Sequence, residues 1–594
     1  MKKNVLALSI TAALVGLTGG AQAMTNLGGA SATVSEFNGG GPGHKLIVPY
    51  FSTQNNNNTL LNIVNTDLAN GKAVKVRFRG AANSDDIFDF QVFLSPGDVW
   101  TAQINQGLDG RSRFTTNDLT CTKPDKSVLN NTSFVTDRLD TTLTTAQKAN
   151  GTHEGYIEIL NMADIPKVAR GVGPGPVADV DAETTSGFAA AGLDNPLYTA
   201  IKHVKGVAPC ASIGAPSTGT AASSAAWAYL DATNLTYGAG PNNATQAGLL
   251  PPTTGLMANW TIINVVGAAA YSGEATAVEN RDVVGVQGTS PTAGVVGERV
   301  NLGNVVYWPQ TAVPVDPVVG ISTEAEKFTA DALFRKANVF TAGSTNVPTA
   351  SGVAAIAAAY YDLPDLSTPY NKTAITPLAQ AAALSGSLAT KSVRNEFITD
   401  KVISATTDWT FSQPTRRYST AFNYGFPTTT PLVDDGRRFT DLFANTFATA
   451  YYAPVNTIVS SATNGNGRQI CVTATGISLA QYDREETKPG VAAIGVVISP
   501  STPAAAAKLT FCGEASVLSF NNGGILAAGT GSLKASVAVQ DADVTYGDGW
   551  ATITTPAAAG ALIGLPVVGS AYVRAVGSSG GQTFGAEYQH RLQR

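Results

Sequence analysis

The chain is short of charge. Asp, Glu, Lys and Arg supply 14% of its 594 residues, well under the roughly 25% of an average soluble domain, and the formal net charge is −5. No Lys/Arg cluster breaks this mild acidity, which excludes a protein built to neutralise phosphates and with it a nucleic-acid partner. Histidine is as scarce: His44, His153, His203 and His590 are scattered, without an H-E-x-x-H or comparable spacing, whereas a zinc site needs three or four convergent ligands. His153 reads instead as a loop residue at a strand entrance. No P-loop or dinucleotide fingerprint occurs. The one string of the form G-x-S-x-G, Gly577-Ser578-Ser579-Gly580-Gly581, runs into another strand-like stretch, Thr583–Tyr588, where a nucleophile elbow requires a helix.

Long apolar runs are missing as well. Val491–Ile498 and Leu562–Val568 fall far short of the roughly 20 residues that cross a bilayer as a helix and read as buried strands. Alternating strands are also the signature of a transmembrane β-barrel. The Ala-rich irregular intervals and the closing Tyr588-Gln589-His590-Arg591-Leu592-Gln593-Arg594 argue against one.

What is present begins with Met1-Lys2-Lys3, an apolar core from Val5 to Leu17, and Ala21-Gln22-Ala23, the order of a secretory signal peptide cleaved after Ala23. The four cysteines form one pair in each half, Cys121 with Cys210 and Cys471 with Cys512. In an oxidising compartment an even count reads as disulfides, each contributing about 3 to 4.7 kcal/mol by loop closure.

Strand patterning fixes the fold class as mainly β. Val74, Val76 and Phe78 alternate with Lys75, Arg77 and Arg79, and Phe88, Phe90, Val92 and Leu94 alternate with Asp89 and Gln91, so each strand is expected to have one face in a core and one in water. Further strands are expected at Lys45–Phe51, Thr59–Asn65, Val99–Ile104, Gly155–Met162, Ala258–Val266 and Tyr271–Val278, with Asn70-Gly71 as a hairpin signal. The last third adds Phe397–Val402, Asp408–Phe411, Gln469–Ile477, Ala492–Ile498, Lys508–Phe511, Ala515–Phe520, Val537–Gln540, Gly549–Thr554 and Ala571–Val576. The expected organisation is a signal peptide (1–23), a flexible lead (24–43), an N-terminal β-sandwich with insertions (44–281), a mixed Ala/Pro-rich region (282–390) and a C-terminal β-sandwich (391–594). The sandwiches are immunoglobulin-like or similar. Helix is expected in the middle region at Thr323–Arg335, Ala354–Tyr361 and Leu378–Leu388.

No cofactor is called for, although exported β-proteins do bind structural calcium through loop carboxylates. The candidates are Asp541, Asp543 and Asp548 around one turn and Asp434 and Asp435 in another. None has EF-hand order, and ordinary turn chemistry accounts for them. Tyr482-Asp483-Arg484-Glu485-Glu486 is read as a charged loop tip, not a glycosidase carboxylate pair.

Taken in order, several segments resemble a family of large exported Gram-negative proteins described as cell-surface or surface-layer-like. They are Leu46-Ile47-Val48-Pro49-Tyr50-Phe51, Val74–Arg79 leading to Val92–Trp100, Glu154-Gly155-Tyr156-Ile157-Glu158, Ala258–Val265, Thr407-Asp408-Trp409, Pro414-Thr415-Arg416-Arg417, Tyr482–Glu486 and Gly564-Leu565-Pro566-Val567. The resemblance implies a location on the extracellular face of the envelope and a non-enzymatic, structural role. The leading expectation is a surface-layer subunit that self-associates through sheet edges, with the outer-membrane surface or its glycolipid as a further partner. The alternative is an adhesin or glycan-binding protein that exposes Trp409, Tyr418 and Tyr424 as a platform.

Overall fold

In the computed structural model, described residues are 34–39, 41–136, 139–167, 195–210, 249–281, 377–422, 424, 437–439, 449–460, 467–473, 476–484, 509–521, 531–536, 539–543, 547–555, 564–577 and 583–594. The fold is mainly β. A seven-stranded sheet runs in the order β1 (Val34–Phe37), β12 (Thr276–Arg281), β2 (Lys45–Ser52), β9 (Glu154–Ile165), β4 (Gly71–Gly80), β5 (Asp86–Leu94) and β8 (Cys121–Lys123). A five-stranded sheet runs β11 (Ala269–Glu274), β10 (Leu256–Asn264), β3 (Asn57–Asn65), β6 (Val99–Gln106) and β7 (Ser112–Thr115). Every pairing in both is antiparallel.

These two sheets bury one apolar cluster. Val74, Val76 and Phe78 of β4 and Phe88, Phe90, Val92 and Leu94 of β5 meet Leu61 and Ile63 of β3, Trp100 of β6 and Trp260 and Ile262 of β10. The middle of the cluster is aromatic: Phe88 stacks on Phe134 at 4.7 Å, and Trp100 lies nearly parallel to Phe114 at 5.6 Å.

Two local expectations are corrected. Asn70-Gly71 does not close a hairpin, because β3 and β4 belong to different sheets. Neither residue takes positive φ; Asp67 accepts from the backbone N–H of Ala69 and Asn70, and the chain arches from one sheet to the other. The expected strand Tyr271–Val278 is likewise two strands, breaking at Ala275 as the chain passes between sheets.

The second half carries a five-stranded sheet, β23 (Val539–Asp543), β22 (Ala515–Asn521), β15 (Thr406–Ser412), β26 (Ser570–Val576) and β27 (Thr583–Gln589), in which only β22 and β23 run parallel. A four-stranded sheet has the order β20 (Ser478–Tyr482), β24 (Asp548–Thr554), β14 (Ser392–Ile398) and β28 (Arg591–Gln593). Between them lie Phe397, Trp409, Phe411, Phe520, Ile553 and Ala571. Small ladders complete the half: β13 (Ala389–Thr390) with β25 (Leu565–Pro566), β16 (Thr420–Phe422) with β17 (Arg437–Phe439), and β19 (Ile470–Val472) between β18 (Thr457–Val459) and β21 (Phe511–Cys512).

Helix is sparse among the described residues: α1 (Lys126–Asn131), α2 (Thr145–Gly151), α3 (Pro196–Ile201) and α4 (Pro377–Leu388). The first three begin at the side-chain caps Asp125, Thr144 and Asn195, which satisfy amide groups left open by the first turn. The Leu378–Leu388 expectation corresponds to α4, while Thr323–Arg335, Ala354–Tyr361 and Ala492–Ile498 lie outside the described residues. Both disulfides are formed, Cys121–Cys210 and Cys471–Cys512.

Gly155 sits where β9 passes closest to β4: a Cβ there would fall 1.7 Å from the Arg79 carbonyl oxygen. Gly155→Ala is expected to cost about 3 kcal/mol or more by overpacking, whereas Gly386→Ala, in open space on α4, should gain about 0.5–1 kcal/mol. Urea unfolding of both variants checks the contrast.

Candidate functional site

The polar face of β4 is not in water. Lys75 and Arg77 are 3% exposed and Arg79 is 0% exposed, which corrects the expectation of a solvated basic stripe. Register explains the burial. Arg77 stands between Asp89 of β5 and Glu158 of β9, directly opposite both. Lys75 Nζ donates to Asp89 at 2.6 Å, Lys45 Nζ to Glu158 at 3.0 Å and Arg79 Nε to Glu158 at 3.2 Å. Asp86 lies 3.6 Å from Arg79.

Apolar covers flank this ladder. On one side, Leu197 and Ile201 of α3 pack with Ala73, Phe93, Leu160 and Met162, and Cys121–Cys210 ties that cover to β8. On the other, Leu384 and Leu388 of α4, Tyr418, Ala515 and Val568 pack on Ile47, Tyr156 and Val278. The second half of the chain therefore helps to keep the charges dry.

A second polar layer joins the halves at the β4–β5 turn. Asn83 Nδ2 donates to the Tyr424 hydroxyl and to the Arg468 carbonyl, Tyr424 donates to Asp85 at 2.8 Å, and Arg417 donates to the Ser84 carbonyl at 2.7 Å. Arg468 grips Asp140 through two nitrogens, at 2.9 and 2.7 Å. Burial raises the Asp140 pKa, but the hydrogen bonds from Arg468 and Thr142 more than reverse this and hold it below the usual carboxylate range. Arg416 meets Glu514 at 3.2 Å with both side chains fully buried.

The third contact is the segment 531–536, held by one buried carboxylate from each half. Glu154 accepts from the Ser536 N–H and Asp408 from the Leu533 N–H, both at 2.7 Å. Asn57, Gln54 and Tyr271 of the first half bond to the same segment.

The proposed aromatic platform is corrected by burial. Trp409 is 0%, Tyr418 0% and Tyr424 3% exposed; Trp409 donates to the Glu396 carbonyl and packs on Phe520. Exposed aromatic side chains lie elsewhere, among them Trp550, which stacks on the half-buried Tyr482. The four histidines have separate partners: Pro252 for His44, Gly110 for His153, Asp98 for His203 and Thr410 for His590.

Of the calcium candidates, Asp548 pairs with Arg484 at 3.1 Å, Asp541 and Asp543 stand on β23 in register with Ser519 and Asn521, and Asp434 and Asp435 lie outside the described residues. No three acidic, His or Cys groups converge as a cation site among the described residues. Of the string Gly577–Gly581, residues 578–581 lie outside the described residues; the strands before and after it, β26 and β27, pair antiparallel. Compared with protein-family models, curated proteins and solved structures, the chain matches none.

Two titrating groups act in opposite senses. Burial pushes His590 down to about 3; its Nδ1 accepts from Asn395, leaving Nε2–H for the Thr410 carbonyl. As pH falls below 6.5 the unfolded chain gains a proton that folded His590 refuses, so its contribution to stability is lost between 6.5 and about 3. Burial raises Glu587 to about 7, Glu274 adding to the shift; folded Glu587 binds its proton first, and its contribution is gained as pH falls toward 4.5.

Thermal unfolding across this range should show a flatter acid-side loss in His590→Gln and a steeper one in Glu587→Gln. In the charge ladder, Glu158→Gln leaves two buried cations short of a carboxylate and should cost about 3–5 kcal/mol. Adding Lys45→Met and Arg79→Met should restore most of that loss in urea titrations.

Proposed function

We propose that the chain is an exported, non-enzymatic structural protein of the bacterial cell surface, a subunit that associates laterally with its own copies into a surface layer. The observation that carries the reading is the pairing of all four cysteines, since disulfides persist in oxidising compartments. The N-terminal order of basic residues, apolar core and Ala21-Gln22-Ala23 supports the same route out of the cell. The ordered resemblance to surface-layer-like proteins supports the destination.

Four buried carboxylates are committed to structure. Glu158, Asp408, Glu154 and Asp140 each accept from cations or backbone amides that fix one element to another. A sheet end supplies the surface for association: β23 borders the five-stranded sheet of the second half, and an end strand carries backbone groups able to extend a ladder, whereas β11 and β27 lie against each other within the chain.

Electron microscopy of envelopes from the producing cell should show a periodic coat made chiefly of this chain. A smooth surface, with the protein monomeric in solution, overturns the proposal.

A further inference from the structure

The four-stranded sheet is two-faced. On β14, Val393, Asn395 and Phe397 are buried while Arg394 and Glu396 are exposed; on β24, Ala551 and Ile553 are buried while Trp550 is 39% exposed. The outer face is ordered by register. Tyr482, Trp550 and Glu396 stand side by side across β20, β24 and β14, and the next row places Ala480, Thr552, Arg394 and Arg591 across all four strands.

The first row is aromatic. The Tyr482 and Trp550 rings lie 4.4 Å apart and within 10° of parallel, close to the ~4.8 Å separation of neighbouring strands. They therefore stack across the neighbouring strands β20 and β24, while Trp550 stays 39% exposed. The second row is cationic, with Arg394 and Arg591 directly opposite each other. Like charges in that relation are destabilising. Glu396 offsets Arg591 at 3.6 Å, while Arg394 donates to the Gln593 amide oxygen at 3.1 Å and has no carboxylate partner among the described residues. An anionic group over the pair would relieve this repulsion.

We infer that this sheet face is a binding site for an acidic polysaccharide, with a sugar ring packed on Trp550 and its carboxylate held by Arg394. The two rows are two residues apart along each strand, about 7 Å, so a single uronate spans from the ring to the guanidinium. A planar guanidinium matches a carboxylate in two parallel hydrogen bonds. The Glu396 carboxylate, between the ring and Arg591, accepts from a sugar hydroxyl. Thr552 and Ala480 are short and leave the floor between the rows open. The inference is independent of lateral assembly, because it rests on a sheet face and not on the sheet ends.

Polygalacturonate is the probe, with dextran as the neutral control and calorimetric titration of the full chain as the readout. Polygalacturonate should bind and dextran should not. Trp550→Ala and Arg394→Gln should each weaken binding by about tenfold or more. Both side chains are exposed, and an unchanged thermal midpoint verifies that the variants are folded. Equal binding by the wild type and Trp550→Ala, or no binding of polygalacturonate, overturns the site. Equal affinity for dextran overturns its anionic character. A change in sedimentation of Trp550→Ala, without any polysaccharide binding, assigns the face to contact between copies and overturns it as well.

Discussion

Glu158 holds two cations that have no access to water, Lys45 at 3.0 Å and Arg79 at 3.2 Å, and Arg77 lies directly opposite it on β4. Burying such ions carries a desolvation cost of several kcal/mol apiece, and their mutual attraction offsets it only where geometry and remaining hydrogen bonds are complete. The ladder is therefore stable under one condition: both sides of the seven-stranded sheet must be covered. The inner side is covered by the five-stranded sheet. The outer side needs α3 with its disulfide on one flank and α4, Tyr418, Ala515 and Val568 on the other.

This constraint ties the second half of the chain to the first. Ala81 at the end of β4 receives the backbone N–H of Glu514 and Ala515, so the residue that partners Arg416 is also fixed to the strand carrying the ladder. Val517, Leu533, Ala535 and Tyr572 from the second half enter the core between the first two sheets. The segment 531–536 is long enough to place Leu533 and Ala535 there because Asp408 and Glu154 satisfy its amides on the way in. An apolar insertion without those acceptors would strand buried N–H groups at about 1–3 kcal/mol each. The buried carboxylates thus act as fasteners between halves that are far apart in sequence.

The alternation of β4 and β5 was legible because period two sorts side chains by face, and Val74 to Leu94 occupy the core as that pattern requires. It could not say what lies on the other face. Lys75, Arg77 and Arg79 read the same whether they meet water or carboxylates, and their partners Glu158 and Lys45 are distant in sequence. Asn70-Gly71 misled for a related reason: a turn dipeptide reports local backbone tolerance, whereas the sheet that receives the next strand is set by long-range burial. Cysteine pairing was legible because each half holds two. Aromatic exposure was not: Trp409 sits between Asp408 and Thr410 in a strand whose two faces are both buried, and no local signal separates that from a half-exposed strand.

Tyr482 and Trp550 show what such a signal would have needed. Each belongs to a strand with polar or small neighbours at the two-residue spacing, Ala480 and Thr552, yet the stack depends on β20 and β24 pairing with Tyr482 opposite Trp550. A one-residue slip would turn Trp550 inward and Ala551 outward. Ala551 and Ile553, packed with Val393 and Phe397, oppose that slip, so the buried face of the sheet fixes what its outer face presents. The same register sets Arg394 against Arg591. An electrostatic conflict on the surface is thus maintained by apolar packing beneath it, which is why the arginine pair is better read as a place prepared for an anion than as an accident of composition.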